Sequence, residues 1–418
     1  MQKINGSILR WWVTPKLPKE HFLVPSEKRG KGLSLLKFLV FTFLLHPVKR
    51  RIAKYYLVFL RIFGLKVICV TGSAGKTTTK EMIASVLSQK GKTIWSQANI
   101  DSVYNIPTTI LRCTPLTRFL VLEMGVEYRG EMDFYLWLAK PDVSVLTSLY
   151  LTHTQFLGSL EGVVFEKTKM IKAVTRSGYV VLNADDERVY SLRKIVFGKV
   201  IFFGLSKKAQ VRASNIEITK DFQTKFKLYL ESGSIQVELN ILGEQAVQNA
   251  LAASAVGVLF GVEIEAVKNA VQNFNLQPHR MQPIKIKRDV WVIDDTYNSN
   301  PLALGKSLET LAQVPGKRRI AILGEMKELG RFEEFSHRNL GKKAADLGID
   351  LLFCFGQACR FLVDSAKKNG VAGANIFESK EEISRSVKKI LKQGDVVLVK
   401  GSRSLEMETI VDSIASKS

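Results

Sequence analysis

Residues 65 to 87 constrain the fold more than any other stretch. Leu65-Lys-Val-Ile-Cys-Val70 is a run of apolar and β-branched residues suited to a buried parallel strand, and Met82, Ile83, Val86 and Leu87 recur at helical spacing after Thr77. Between them lies Thr71-Gly-Ser-Ala-Gly-Lys-Thr77. Gly72 and Gly75 let backbone amides wrap phosphate oxygens at a helix N-terminus, Lys76 brings charge to the outer phosphates, and the Thr77 hydroxyl suits Mg²⁺. The longer GxxxxGK[ST] form needs glycine where Val70 stands, so this is a shorter GxxGKT loop. Strand, loop and helix in this order predict ATP binding through Gly72, Ser73, Ala74, Gly75, Lys76, Thr77 and Thr78 rather than a bare glycine turn.

The rest of the chain keeps an α/β rhythm. Phe119–Glu123, 143–147 and Tyr179–Asn183 read as strands separated by helical segments, one near 160–174, which implies a mainly parallel sheet covered by helices. From 200 to 242 the pattern changes to short strands of alternating polarity, read as a small antiparallel sheet. Helices return at 245–260 and 264–274, residues 275–283 carry two prolines and read as a linker, and runs at 290–294, 319–323, 351–355 and 396–399 give a second, Rossmann-like α/β unit. The expected domains are therefore a basic, partly apolar segment at 1–64, a P-loop ATP-binding domain at 65–281 and a C-terminal α/β domain at 282–418. The four cysteines contain no CxxC pair and read as buried thiols in a reducing compartment.

Charge is unevenly placed. Of the net +22, residues 1–66 carry +12, with 14 Lys/Arg against Glu20 and Glu27. This stretch also holds two apolar runs, 33–45 and 55–65, separated by Lys49-Arg-Arg51 and Lys54. Neither run reaches the ~18–20 apolar residues needed to span a bilayer. Three readings remain open: a helical pair packed on the ATP-binding domain, an interfacial helix held to anionic lipid by basic residues, or nucleic-acid binding, which no recognition motif supports. The late apolar run without a small-residue cleavage site argues against a signal peptide.

Two polar residues follow strand ends, where open α/β sheets place ligands. Glu123 closes Phe119-Leu-Val-Leu, and His153 follows Thr147-Ser-Leu-Tyr-Leu-Thr152. A carboxylate near a triphosphate suits Mg²⁺; a lone histidine is more commonly a packing or surface residue.

The ordered set TGSAGKTTTK, Glu123-Met-Gly125, His153 with Gly158-Ser-Leu-Glu-Gly162, Lys167, Asn183-Ala-Asp-Asp186, Asn249-Ala-Leu251, His279-Arg-Met281, Asp294-Asp-Thr-Tyr-Asn-Ser-Asn-Pro301, Gly324-Glu-Met-Lys-Glu-Leu-Gly330 with His337, and Lys400-Gly-Ser-Arg403 resembles the Mur ligases over about residues 66–412. It most resembles the branch that adds D-alanyl-D-alanine to a UDP-linked muramoyl tripeptide. The resemblance implies an ATP- and Mg²⁺-dependent, ADP-forming ligase of cell-wall synthesis, cytoplasmic and at the inner face of the membrane if residues 1–64 touch lipid. Its partners would be a muropeptide carboxylate and a dipeptide amine, with no nucleic acid, and it would act as a monomer.

The same resemblance implies roles residue by residue. Lys76 and Thr77 match the phosphate lysine and the Mg²⁺ hydroxyl, and Glu123 and His153 match metal ligands. Lys167 matches a lysine carbamylated by CO₂; composition alone would make it an exposed helix lysine. Asn249 matches an adenine contact, Arg280 a phosphate contact and Asp295 a ribose contact, while Asn298 and Asn300 match nucleotide or substrate contacts or, alternatively, turn caps around Pro301. The implied catalytic set is Lys76, Glu123, His153, Lys167 and Arg280. The chain departs from the family at Gln245 and Ala246, where histidine and asparagine are usual, and at Glu325, where aspartate is usual. The 66 residues before the P-loop are also too few and too basic for the family's UDP-holding domain. Two other functions fit the same residues: a ligase for a poly-amino-acid or folate-type carboxylate, and a non-catalytic nucleotide-binding scaffold on a membrane surface.

Overall fold

The structure is a computed structural model that describes Pro18 and residues 32–97, 100–274 and 277–416. Most of the expected basic segment before Gly32, and Asn275 and Leu276 of the expected linker, lie outside the described residues. The chain divides into two compact units, one built from residues up to Leu149 with Glu161–Gln210 and Ala252–Val267, the other from Tyr150–Leu160, Val211–Leu251 and Lys268 onward.

The first unit opens with one continuous helix, α1 (Gly32–Ile62). This corrects the expectation of two separate apolar runs. Pro47 cannot donate an amide to the preceding turn, and the ladder widens to a π segment over Phe41–Leu45 immediately before it instead of breaking. Ala53, Leu57 and Leu60 of α1 are fully buried in a cluster with Leu65, Val67, Ile106, Leu120 and Met132.

Six strands follow: β1 (Lys66–Thr71), β2 (Thr93–Trp95), β3 (Phe119–Glu123), β4 (Val143–Leu146), β5 (Tyr179–Asn183) and β6 (Lys199–Gly204). They lie in the order β2-β3-β1-β4-β5-β6, every pair parallel. β1 is buried on both faces, as its unbroken apolar sequence requires. Helices α2 (Lys76–Ser88), α3 (Ser102–Leu111), α4 (Glu131–Leu138), α5 (Leu160–Lys172) and α6 (Glu187–Ser191) form the crossovers and cover the sheet. Because β1 sits between β3 and β4, the loop after it opens where the strand order reverses, the place such sheets keep for ligands. β6 corrects a detail of the sequence reading: the segment from 200 onward begins with a strand parallel to β5.

In the second unit β7 (Val211–Ile218), β8 (Thr224–Leu230) and β9 (Gly233–Leu239) form the expected antiparallel meander. Helices α7 (Glu244–Leu259) and α8 (Ile264–Gln272) follow in sequence, with their residues Ala252–Val267 belonging to the first unit. The second sheet comprises β10 (Gln282–Ile286), β11 (Val290–Asp294), β12 (Arg318–Gly324), β13 (Leu351–Phe355), β14 (Gly373–Phe377) and β15 (Asp395–Lys400), in the order β10-β11-β15-β12-β13-β14. β10 is antiparallel to β11 and the remaining pairs are parallel. Two apolar clusters hold it, one joining Leu304, Leu308 and Leu311 to Ala321 and Leu398, the other joining Ile383, Val387 and Ile410 to Ile322 and Val397. The first uses α9 (Pro301–Gln313), and the second uses α12 (Lys380–Ile390) and α13 (Glu408–Ala415); α10 (Glu333–Asp346) and α11 (Cys359–Lys368) complete the unit.

Candidate active site

The β1–α2 loop is built around Gly72 and Gly75, whose φ values of 153° and 77° are open to glycine. A Cβ on Gly72 would lie 1.9 Å from Thr147 Oγ1, so no larger residue fits there. The loop is braced from the end of β4: the Ser73 amide donates to the Ser148 carbonyl at 2.9 Å and the Ala74 amide to Ser148 Oγ at 3.1 Å. Thr147 Oγ1 donates to the Ala74 carbonyl at 2.6 Å. Helix α2 starts at Lys76, so its first amides and the positive end of its dipole face the loop.

Four side chains named from sequence meet here. Thr77 Oγ1 donates to Glu123 Oε1 at 3.2 Å. Lys76 Nζ and Lys167 Nζ both donate to the Gly72 carbonyl, at 3.1 and 3.0 Å. Lys167, on α5, is fully buried, and this overturns the exposed helix lysine that composition alone suggests. Burial, and after it the Lys76 ammonium, hold its amine well below the usual lysine range against the opposing pull of Glu131, Glu123 and Glu166. Two of these acids are occupied elsewhere. Glu131 accepts the Glu127 and Tyr128 amides at 2.6 and 3.1 Å, and Glu166 accepts the Gly130 and Met132 amides at 2.9 and 3.0 Å and pairs with Lys169 at 2.7 Å.

The oxygens of Thr77 and Glu123 are the hard donors Mg²⁺ takes when it is held mainly by phosphates. Among the described residues no group of three or more His, Cys, Asp or Glu side chains is arranged to hold a metal alone. The donor set therefore fits a metal–nucleotide complex, and the glycine cradle fits its phosphates.

The second unit carries the other named residues. His153 has a left-handed φ of 51° and heads the short helical turn Thr154–Leu157. Its Nδ1 lies 2.7 Å from Glu328 Oε2, and this bond is the largest cause holding the Glu328 carboxyl below its ordinary range. An imidazole oriented by a carboxylate in this way presents Nε2 for coordination. The Gln155 amide and Thr154 hydroxyl, bonded to the Glu328 and Leu329 carbonyls at 3.1 and 2.9 Å, fix the turn.

Arg280 stacks its guanidinium 3.9 Å from the centre of the Tyr297 ring. Among the described residues its Nε and Nη2 atoms are buried without a hydrogen-bond partner, and such charged donors suit an anion. Asp295 is held from three sides: Lys400 Nζ at 2.6 Å, Ser307 Oγ at 2.7 Å and the Met281 amide at 3.2 Å. Asn300 Oδ1 accepts the Ala303 amide at 2.9 Å and so caps α9, and Asn298 Oδ1 accepts the Ser299 amide at 2.8 Å. Asn249 Oδ1 accepts from Gln245 Nε2 at 3.3 Å on α7, so the departure at 245 keeps a polar contact. Glu325 pairs with Lys327 and accepts the Ala358 amide at 3.0 Å.

Sequence reasoning assigned no role to Ser148, Glu328 or Lys400. Ser148 follows the end of β4, so the rule that singled out Glu123 reaches it too. Glu328 and Lys400 lay inside quoted motifs, but only the fold shows which residues they hold. Asp185 and Asp186 of the Asn183 block prove structural: they accept the Leu205, Ser206 and Leu149 amides at 2.6, 2.8 and 2.9 Å.

Two family models match this chain, the Mur ligase middle domain over residues 70–257 and the Mur ligase glutamate ligase domain over 279–403. The UDP-N-acetylmuramoyl-tripeptide--D-alanyl-D-alanine ligase of Escherichia coli (strain K12) is 31% identical over 353 residues, 84% of this chain and 76% of that protein. The crystal structure of MurF from Acinetobacter baumannii is similar with a TM-score of 0.80 and 26% identity, covering 89% of this chain and 81% of that one. The MurF ligase from Thermotoga maritima in complex with ADP gives a TM-score of 0.79 and 26% identity over 88% and 83%. With these matches covering residues of both units and including the phosphate loop, the chain belongs to the Mur ligase family of ATP-dependent, ADP-forming ligases.

Proposed function

We propose that this chain joins the amine of D-alanyl-D-alanine to the terminal carboxylate of a muramoyl tripeptide, as the names of its relatives describe. The γ-phosphoryl of ATP passes to a carboxylate oxygen, giving an acyl phosphate and ADP. The dipeptide amine then attacks the carbonyl carbon, inorganic phosphate leaves with the C–O bonding pair, and the amine gives up a proton. Holding both reactants and gathering cations at the phosphoryl group supply most of the rate.

The observation that carries this reading is Lys167, buried and bonded to the carbonyl of Gly72 inside the phosphate loop. Burial that lowers the lysine's basicity favours the amine with a free lone pair for CO₂, and the carbamate so formed, with one proton released, would be an anionic oxygen donor for Mg²⁺. In this reading Lys76, Thr77, Glu123 and His153 serve the phosphates and metal, Gly72–Thr78 cradle ATP, and Asn249, Arg280, Asp295, Asn298 and Asn300 are nucleotide or substrate contacts. Residues 65–281 then form the ATP-binding part and 282–418 the ligase part. Residues 1–64 add a contact with the inner face of the membrane, supported by their charge and by the exposed apolar side chains of α1.

The test is ATP-dependent phosphate release with UDP-N-acetylmuramoyl-tripeptide and D-alanyl-D-alanine, with the product identified by mass. Turnover to the pentapeptide is expected. Turnover with a folate or poly-glutamate pair, and none with the muropeptide, would overturn the substrate assignment.

A further inference from the structure

We propose that α1 seats this chain on an anionic bilayer as a helix lying in the plane of the membrane, without crossing it. This rests on the membrane contact proposed above and names its surface, its geometry and the charge of the lipid.

The two faces of α1 are sharply different. Thr42, His46, Arg50, Ala53, Leu57 and Leu60 are buried at steps of three and four residues, so one face is covered by the first unit. Leu33, Leu36, Leu44, Ile52, Tyr55 and Ile62 are each more than half exposed, and their spacing keeps them on the opposite face for eight turns. A helix packed on a globular unit ordinarily turns polar residues outward, and a continuous apolar stripe of this length marks a contact surface.

Charge selects the occupant. No Asp or Glu occurs between Glu27 and Glu81, and Lys37, Lys49, Arg51 and Lys54 accompany the stripe, while Arg61 is paired with Asp142 at 3.3 Å. A second copy would bring two such basic faces together, whereas an anionic leaflet complements one. Both family models begin after α1, so it is not part of what the matched domains share.

Covering decides the orientation. By length and composition alone α1 is long enough to cross a membrane. From Thr42 to Leu60, however, one face is packed against protein, which keeps that part out of the lipid core. Residues 32–41 then extend only about 15 Å, half of what spanning requires.

The experiment is flotation of the full-length chain on phosphatidylglycerol and on phosphatidylcholine vesicles, beside the variant L36E/I52E/I62E. Ligation in solution and thermal stability are measured on both proteins. Probes at positions 36 and 62 report depth through brominated lipids. Binding to the anionic vesicles is expected to fall at least about a hundredfold in the variant, with ligation and stability unchanged and equal, shallow depth at both probes in the parent. If parent and variant float equally, the stripe is overturned while the membrane contact of residues 1–64 stands. If neither floats, both fall. Equal binding to neutral vesicles overturns the charge argument, a probe on the far leaflet overturns the in-plane geometry, and a concentration-dependent dimer lost in the variant assigns the stripe to a second copy. Ligation of the muropeptide is read separately and is decided by none of these.

Discussion

Lys167 is the residue whose surroundings say most about its chemistry. It shares the Gly72 carbonyl with Lys76, and burial holds its amine well below the usual lysine range. Replacing it with alanine is expected to lower kcat about 10²–10³-fold. Arginine should do no better, because a guanidinium stays charged and cannot form the carbamate. A ¹³C carbamate resonance from labelled bicarbonate should appear in the parent and be missing from both variants; its absence from the parent would remove the assignment. At Asp295 the opposite arrangement holds, with a buried carboxylate matched to the buried Lys400 ammonium. Lys400→Met strands that charge and should cost about 3–5 kcal/mol in urea unfolding. Adding Asp295→Asn should restore part of the loss, since the two sites are coupled. Lys167 was legible only as a family position, because a lysine beside Lys169 and Lys172 on an amphipathic helix carries no mark of its burial. The phosphate loop was legible outright, since glycine spacing fixes its backbone.

At the scale of elements, strands with strong apolar runs were read at or near their bounds, as at Phe119–Glu123, Tyr179–Asn183 and Leu351–Phe355. β10 was missed because Gln282-Pro-Ile-Lys-Ile286 is polar and contains proline, which an edge strand tolerates. α1 was split because the basic cluster Lys49-Arg-Arg51 with Lys54 looks like a boundary; burial of Arg50 against the Phe134 ring, 5.2 Å away, turns part of that cluster inward. His46 on the same face has its pKa pushed down to about 3, first by burial, then by Arg50 and Lys49. A folded-state value below the unfolded 6.5 means the unfolded chain takes up the proton first. His46 therefore costs no stability above pH ~6.5, and stability falls as pH drops from there toward 3, by up to about 1.4 kcal/mol per pH unit. Urea midpoints at pH 7, 5.5 and 4.5 should show this slope, and His46→Gln should flatten it.

Across the whole molecule, the excess positive charge and the apolar surface are concentrated before the P-loop strand. That segment is nevertheless structural where it is described. Ala53, Leu57 and Leu60 close the cluster around Leu120 and Met132, and burying the two leucines alone contributes about 3–6 kcal/mol, a large share of a domain's stability. A chain beginning at residue 65 should therefore unfold at a markedly lower temperature or aggregate, measured by differential scanning calorimetry. An unchanged transition would show that α1 is dispensable to the core. The sequence showed that these 66 residues differ from the rest, but whether a basic apolar helix is packed or free depends on partners more than 40 residues away, such as Ile106 and Met132.

Only Phe63, Gly64 and Leu65 separate the end of α1 from β1, the strand that carries the phosphate loop. With three residues between them and a shared core beneath, the helix works as a mounting bracket rather than a tether. A molecule resting on α1 would hold its nucleotide cradle at one fixed height and tilt above the surface, and any acceptor presented by that surface would meet the loop in a single orientation.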